Sequence, residues 1–214
     1  MIKQGAVITA DIVNSTAMGG GLITALGTAL ENIIQANQAK MLSYYRGDSF
    51  QCYISDPYAA FRLALLLRTE TKLFGQKYSG ISTDLKISIG IGRIETPVTP
   101  KTAHGETFVL SGRGLDQLEK SERRLLIQGK DERMNIALEA ISLFVDYLFD
   151  ALTNKQAEVL QHLLMDRNQM ETAVLLNKSQ STVNKHIQSL GWKQIEELFR
   201  LYQKTIQQIN HNHG

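Results

Sequence analysis

The 214-residue sequence has only one cysteine, three prolines and one tryptophan. Because Cys52 has no second cysteine to pair with, an internal disulfide is excluded, which is usual for proteins that fold in a reducing cytoplasm. No apolar run reaches the roughly 18 residues that a membrane span requires. The first residues, Met1 to Gly5, also lack the charged and then apolar pattern of a signal peptide. These absences predict a cytoplasmic protein without a membrane partner.

An excess of charge of one sign is missing as well. The chain has 23 lysines and arginines against 21 aspartates and glutamates, which gives a formal net charge of +2. Such a balance does not by itself indicate a nucleic-acid partner. Hydrophobic residues make up 43% of the sequence, which is enough for a folded core. The length fits one medium domain and one small domain.

Residues 1–130 alternate between strand-like and helix-like patterns. The predicted elements are a strand at 6–12, a helix at 22–33, a hairpin of strands at 41–45 and 49–54, a helix from 57, a strand at 84–94, a loop at 96–104 and a helix at 114–126. Strands are assigned from alternating apolar residues, and helices from apolar residues three and four apart. Gly90 and Gly92 alternate with isoleucines, which favours close packing against a helix over a phosphate loop. The order predicts a ferredoxin-like α+β sandwich.

No strand pattern follows residue 130. Residues 131–150 have a broad apolar face and predict a helix that connects two domains. Residues 151–214 predict an all-α domain of helix-turn-helix type, whose first helix begins at the cap residue Thr153. Its third helix is predicted at 180–190, with Val183 and Ile187 facing inward.

The outer face of helix 180–190 is polar and could bind base edges and phosphates in a major groove. Its side chains are those of Gln180, Ser181, Thr182, Asn184, Lys185 and Gln188. The alternative is a plain helical bundle with a polar surface. Residues 151–214 contain seven lysines and arginines against five acidic residues, so electrostatic attraction to DNA would be modest. A dimer or tetramer would then be needed for useful affinity.

Two aspartates occupy positions typical of a metal site. Asp11 ends the first strand, and Asp48 lies on the hairpin turn. If these strands are neighbours, both carboxylates meet at one end of the sheet, where their hard oxygens suit Mg²⁺. The loop and helix start that follow, with Asn14, Ser15 and Thr16, suit a phosphate chain. The alternative is that the aspartates are a cap and a turn residue, which are common roles.

The segments around these aspartates resemble the class III nucleotidyl cyclase domain. In the same order as in that family, they are Ala10-Asp11-Ile12-Val13-Asn14-Ser15-Thr16, Arg46-Gly47-Asp48-Ser49-Phe50, Ile87-Ser88-Ile89-Gly90-Ile91-Gly92 and the glycine-to-arginine segment 105–113. The resemblance implies that Asp11 and Asp48 bind metal and that Arg113 steadies the transition state.

The same resemblance shows where the chain departs from the family. The family's catalytic asparagine falls on Val109, which cannot donate a hydrogen bond. Its base-selecting aspartate falls on Thr102 and its base-selecting lysine on Tyr44. The resemblance therefore implies that the residues for phosphate and metal binding are present, and that the residues for base recognition are missing.

Two further resemblances concern the helical end and the whole chain. Residues 152–160, Ala173, Leu176 and the segment 181–187 resemble the helix-turn-helix of LuxR-type proteins and sigma factors. The whole chain resembles the SatD-like family, through Gly47-Asp48-Ser49-Phe50-Gln51, His104-Gly105-Glu106, the Ile-Gly-Ile-Gly strand and the helical tail.

Together these patterns favour a DNA-binding transcriptional regulator that is a homodimer over an enzyme. Its cyclase-like domain would sense a nucleotide with Mg²⁺, or would serve only for dimerisation, and helix 131–150 would couple the two domains. The alternative is a Mg²⁺-dependent nucleotidyl cyclase, or another nucleotide-processing enzyme, with a regulatory helix-turn-helix tail.

Overall fold

The computed structural model describes residues 1–45 and 48–211, apart from the side chains of residues 44, 45 and 209–211. The strands are β1 (Ile2–Ile12), β2 (Lys40–Tyr45), β3 (Ser49–Ile54), β4 (Leu85–Glu95) and β5 (Leu125–Gly129). The helices are α1 (Ser15–Met18), α2 (Gly20–Ala36), α3 (Pro57–Tyr78), α4 (Glu106–Glu119), α5 (Glu132–Asp150), α6 (Asn154–Leu164), α7 (Gln169–Leu175), α8 (Gln180–Ser189) and α9 (Trp192–His211).

The strands form one mixed sheet in the order β2-β3-β1-β4-β5. The first four strands pair antiparallel, and β5 is added parallel to β4. The path from β1 to β4, with helices after β1 and β3, is the βαββαβ order of a ferredoxin-like sandwich. The predicted α+β sheet is therefore confirmed, with β1 at its centre.

The two faces of the sheet differ in chemistry because side chains alternate along a strand. Ala6, Ile8 and Ala10 of β1 are fully buried in the main core, on the side of α2 and α3. On the opposite side, the Thr9 hydroxyl lies 2.6 Å from the hydroxyl of Ser111 on α4. The sheet thus has an apolar face under α2 and α3, and a partly polar one under α4.

Glycines allow α4 to approach the sheet closely. A Cβ atom on Gly90 would lie 2.4 Å from the backbone oxygen of Thr107, and one on Gly114 would lie 2.1 Å from the Ser88 hydroxyl. Neither neighbour leaves room for an added methyl group. The interpretation of Gly90 as a packing residue, and not as part of a phosphate loop, is confirmed.

The prediction of a helix at 114–126 is wrong at both ends. Helix α4 begins at Glu106, directly after Gly105, whose φ of 109° favours glycine. It ends at Glu119, and Leu125–Gly129 forms β5. The short apolar run of β5 follows a charged segment that looks like the surface of a helix, so the strand pattern is hidden.

The helical end of the chain shares its core with the sheet. Tyr202 of α9 is fully buried, and its hydroxyl donates a hydrogen bond of 2.6 Å to the carbonyl of Pro57 at the start of α3. Phe61 of α3 packs against the rings of Phe199 and Tyr202, with centroids 5.1 Å apart in each case. A separate all-α domain is therefore not seen, and the division at residues 130 and 150 stays a prediction. No helix in the described part of the chain is long and apolar enough to cross a membrane.

A buried ion network joins α3, the start of β4 and α5. Arg68 is fully buried, and its guanidinium donates to both carboxylate oxygens of Asp84, at 3.0 and 2.7 Å. It also donates to Oδ1 of Asp146 at 2.7 Å and lies 4.3 Å from the ring centroid of Phe149. The other oxygen of Asp146 accepts backbone N–H groups at the edge of β5, at 2.9 and 3.3 Å. Every part of this charged cluster therefore has a partner.

We expect Asp146→Asn to lower the free energy of unfolding by about 3 kcal/mol, because removal of one charge leaves Arg68 incompletely paired in a buried site. Urea unfolding followed by circular dichroism measures this change. The control is Asp116→Asn on the exposed face of α4, which we expect to change stability by less than about 0.5 kcal/mol. Equal effects of the two variants would contradict the importance of the network.

Candidate functional site

The structure brings Asp11 and Asp48 to the same end of the sheet. Asp11 is the penultimate residue of β1, and its register partner on β3 is Ser49. The backbone N–H of Ile12 donates a hydrogen bond of 3.0 Å to the carbonyl of Asp48. The two predicted metal ligands therefore follow from the antiparallel pairing of β1 with β3. Arg46 and Gly47, which complete the predicted turn, lie outside the described residues.

The Asp11 carboxyl lies in an environment that disfavours its negative charge. Burial, followed by the charges of Asp48 and Glu119, raises its pKa from 3.8 to about 6, whereas Lys86 acts in the opposite direction. Lys86 faces Asp11 across β1 and β4, but its ammonium donates to the carbonyls of Leu118 and Ser121, at 2.7 and 2.9 Å. The charges of Asp48 and Glu119 thus have a larger effect on Asp11 than the Lys86 ammonium has, so a metal cation would be attracted to this position.

The loop after β1 is fixed to the Asp48 carboxylate and to the segment before β4. The hydroxyl of Ser15 donates to Oδ2 of Asp48 at 2.7 Å, and Ser15 is buried. Asn14 adopts a left-handed conformation with φ of 62°, and its side-chain amide donates to the carbonyl of Ser82 at 2.9 Å. Thr16 is exposed. Of the three predicted phosphate-binding residues, Ser15 thus holds a carboxylate, Asn14 holds the loop, and Thr16 is open to a ligand.

The acidic pair fits a divalent cation that shares its coordination with a phosphate. In the described part of the chain there is no group of three or more histidine, cysteine, aspartate and glutamate residues that could hold a metal. Mg²⁺ is commonly bound through one or two carboxylates, with water and substrate phosphates as the remaining ligands. Two converging carboxylates beside a helix start meet that requirement.

A cleft lies next to Lys86, the strand partner of Asp11, at the end of the sheet where α4 stops, and neither Asp11 nor Asp48 belongs to its lining. Its volume is about 460 Å³, and its lining includes Val13, Lys86, Glu119 and Arg124. This is within the usual size range of small-molecule sites, about 300 to 1,000 Å³. Sequence reasoning missed Lys86 and Glu119, because only the pairing of β4 with β1 and the end of α4 bring them to Asp11.

Helix α4 carries the predicted transition-state residue. Arg113 is exposed there, and Val109, one turn earlier, leaves 46% of its surface exposed. Thr102, at the position of the base-selecting aspartate, uses its hydroxyl within its own loop, donating to the carbonyl of Pro97 at 3.0 Å. The side chain of Tyr44, at the position of the lysine, lies outside the described residues. The Thr102 hydroxyl is thus already bound within its own loop.

The predicted DNA-contacting residues lie along α8. Gln180, Ser181, Lys185 and Gln188 are exposed, whereas Thr182 and Asn184 are partly buried. Hydroxyl groups at the start of the helix bind one another, with Ser179 at 2.9 Å from Ser181 and 2.8 Å from Thr182. The preceding turn offers little further positive charge, because the Lys178 ammonium is paired with Glu158 at 3.0 Å.

No protein-family model matches the sequence, and no curated protein matches it. Among solved structures the chain is similar to the guanylyl cyclase Cya2, with 12% identity and a TM-score of 0.43 over 53% of this chain and 69% of that chain. It is similar to the adenylyl cyclase CyaB from P. aeruginosa, with 19% identity and a TM-score of 0.44 over 59% of this chain and 77% of that chain. A bacterial light-regulated adenylyl cyclase gives 12% identity and a TM-score of 0.43 over 59% and 76%. These are distant likenesses of fold.

The main functional expectation from the sequence needs correction. The similar solved structures are adenylyl and guanylyl cyclases, so the expectation of a DNA-binding transcriptional regulator with a degenerate sensor domain is wrong. The surface of α8 agrees with this correction, since Lys185 is its one lysine or arginine and its first hydroxyl groups are bound to one another. The SatD-like and helix-turn-helix resemblances find no support among these matches. What remains is the distant likeness of fold.

Proposed function

We propose that the chain is a Mg²⁺-dependent enzyme that processes a nucleoside triphosphate, with a reaction of the nucleotidyl cyclase type. The observation that carries the proposal is the convergence of Asp11 and Asp48 beside the loop that begins α1. Asp11 and Asp48 hold the cation, and Thr16 with the backbone N–H groups of the loop binds phosphate oxygens. The cation supplies neutralisation of phosphate charge and polarisation of a phosphoryl oxygen.

The chain's own residues have distinct tasks in this proposal. Ser15 orients Asp48 through the hydrogen bond to Oδ2, and Asn14 holds the loop against residue 82. Arg113, exposed on α4, is the proposed contact for the phosphate that gains charge in the transition state. Val109 at the asparagine position implies a slower reaction than a complete cyclase site would give, because one hydrogen-bond donor is missing.

The remaining assignments belong to the same proposal. Residues 1–130 hold the catalytic site, and the helical unit 151–214 modulates its activity. Residues 131–150 form the helix that connects these two parts. We further propose that the working form is a cytoplasmic homodimer. The cytoplasmic location rests on the single cysteine Cys52, which is fully buried and has no cysteine partner in the sequence.

We expect purified protein to form a cyclic nucleotide from ATP or GTP in the presence of Mg²⁺ or Mn²⁺. Asp11→Asn and Asp48→Asn should each reduce the rate by at least about 100-fold, because each removes a charged ligand of the cation. The matched control is Glu196→Gln, which neutralises an exposed carboxylate on α9 and should leave the rate unchanged. Chromatographic separation of the products measures the reaction. The proposal fails if neither nucleotide gives a metal-dependent product.

The raised pKa of Asp11 gives a second expectation, in which stability and metal binding change in opposite directions. A carboxyl whose pKa is higher in the folded state stabilises the fold at low pH, and this stability is lost as pH rises from about 4 through about 6. Asp11→Asn should remove that pH dependence and, without metal, raise the free energy of unfolding at pH 7.5 by about 1 kcal/mol after allowance for solvent screening.

The same variant should lose the binding heat that wild-type protein gives with Mn²⁺ in calorimetry. Urea unfolding at pH 4.5 and pH 7.5 measures the stability, with Glu196→Gln again as control. Loss of stability in Asp11→Asn at pH 7.5 would show that the Asp11 carboxylate is a structural partner and not a charge awaiting a cation.

A further inference from the structure

Helix α5 presents an apolar stripe to solvent on the side that faces away from the sheet. Its inner face is occupied by Leu138, Ile141, Val145 and Phe149, which are all at least 96% buried. Its outer face leaves exposed fractions of 74% for Ile136, 50% for Leu143, 40% for Phe144 and 68% for Tyr147. Large apolar side chains that share one helix face are unusual on a monomer surface, and they indicate a protein contact.

The stripe has the spacing of a helix-pairing seam. Arg133, Ile136, Ala140, Leu143, Tyr147 and Asp150 are all exposed and follow one another at steps of three, four, three, four and three residues. This is the heptad spacing at which two helices pack side by side. Over 18 residues, the seam is about 27 Å long at 1.5 Å per residue.

The charges at the two ends of the seam indicate what covers it. Arg133 is near the amino end of α5 and Asp150 is at its carboxyl end. Each charge is at the end where the helix dipole disfavours it, since cations stabilise carboxyl ends and anions stabilise amino ends. No ion pair of either side chain is present in the part of the chain that the structure describes. An antiparallel helix packed on the seam would place its carboxyl end beside Arg133 and its amino end beside Asp150, where both charges are favoured.

We propose that a second copy of this chain covers the seam, with the two α5 helices antiparallel about a twofold axis. With the axis between residues 141 and 142, Ile136 faces Tyr147 of the other copy, and Ala140 faces Leu143. Arg133 then faces Asp150, and by symmetry this ion pair forms twice. A parallel pair would instead place like charges together at both ends, so the sequence of the seam selects the antiparallel arrangement.

The size of the seam predicts a weak dimer. One helix face of this length covers less area than the roughly 800 Å² per partner of a standard stable interface. We therefore expect a dissociation constant in the micromolar range, on the order of 10 µM, and a decrease in affinity at high salt. Sedimentation equilibrium of the full chain from about 1 µM to about 1 mM covers this range.

Leu143→Glu should weaken the dimer by at least about 100-fold, because two copies of a buried charge enter one seam. The matched control is Val174→Glu on α7, where an apolar side chain that is 76% exposed lies outside the seam. It should leave the dissociation constant unchanged. A chain that stays monomeric at all concentrations overturns the proposal, and so does a dimer that Val174→Glu disrupts while Leu143→Glu does not.

A charge exchange tests the direction of the helices. Arg133→Asp and Asp150→Arg should each weaken the dimer by about tenfold, and the double variant should return to within about threefold of wild type. In a parallel pair the double variant keeps like charges together and gains nothing over the wild type. Failure of the double variant to recover affinity therefore refutes the antiparallel arrangement.

Disulfide trapping tests the register of the two helices independently. A mixture of Ala140→Cys and Leu143→Cys chains should form the mixed disulfide faster than either variant alone forms its own, because residue 140 faces residue 143 of the other copy. Cys52 is fully buried and does not compete. Equal rates in the mixture and in the separate variants would contradict the register.

Discussion

The constraint on which the rest of the structure depends is the position of Arg68 in the middle of α3, without access to solvent. A buried guanidinium is tolerated only when acceptors surround it, and here Asp84 and Asp146 provide them from two distant parts of the chain. Asp84 comes directly before β4, and Asp146 lies on α5. The sheet and the helical end of the chain are therefore held together by one charge, in addition to the apolar contacts of α3 with α6 and α9.

The same cluster supports the geometry of the acidic site. The carbonyl of Asp84 accepts the backbone N–H of Val13 at 2.9 Å, and the carbonyl of Ser82 accepts the amide of Asn14. The loop that carries Ser15 is thus held by the segment that Arg68 fixes. Because the loop is fixed, Asp48 stays close to Asp11 although the two carboxylates repel each other. The fold thereby keeps Asp11 in a partly buried position beside other acidic groups, where its pKa is raised to about 6.

Much of the fold follows from local sequence, and the exceptions have physical causes. The hairpin strands, the start of a helix at residue 57 and the helix predicted at 131–150 followed from the sequence because apolar spacing and local turn chemistry act over a few residues. Strand β5 did not, since its pairing with β4 is parallel and depends on contacts far along the chain. In the site, Asp11 and Asp48 were predictable from turn and strand ends, whereas the approach of Lys86 and Glu119 depends on tertiary packing. The sequence pattern likewise did not predict that α3 and α9 share one core.

Helix α5 contributes both to the buried ion network and to the exposed seam. Asp146 on its inner side joins the Arg68 cluster, and Leu143 and Tyr147, within one turn of it, belong to the exposed seam. Asp146 and the seam residues belong to one helix, which is stiff over this length, so they move together. The Arg68 cluster therefore fixes the position of the helix that carries the seam. The short distances around Arg68 leave little room for α5 to move toward the sheet, so the seam is presented to a partner by a helix whose position is already fixed.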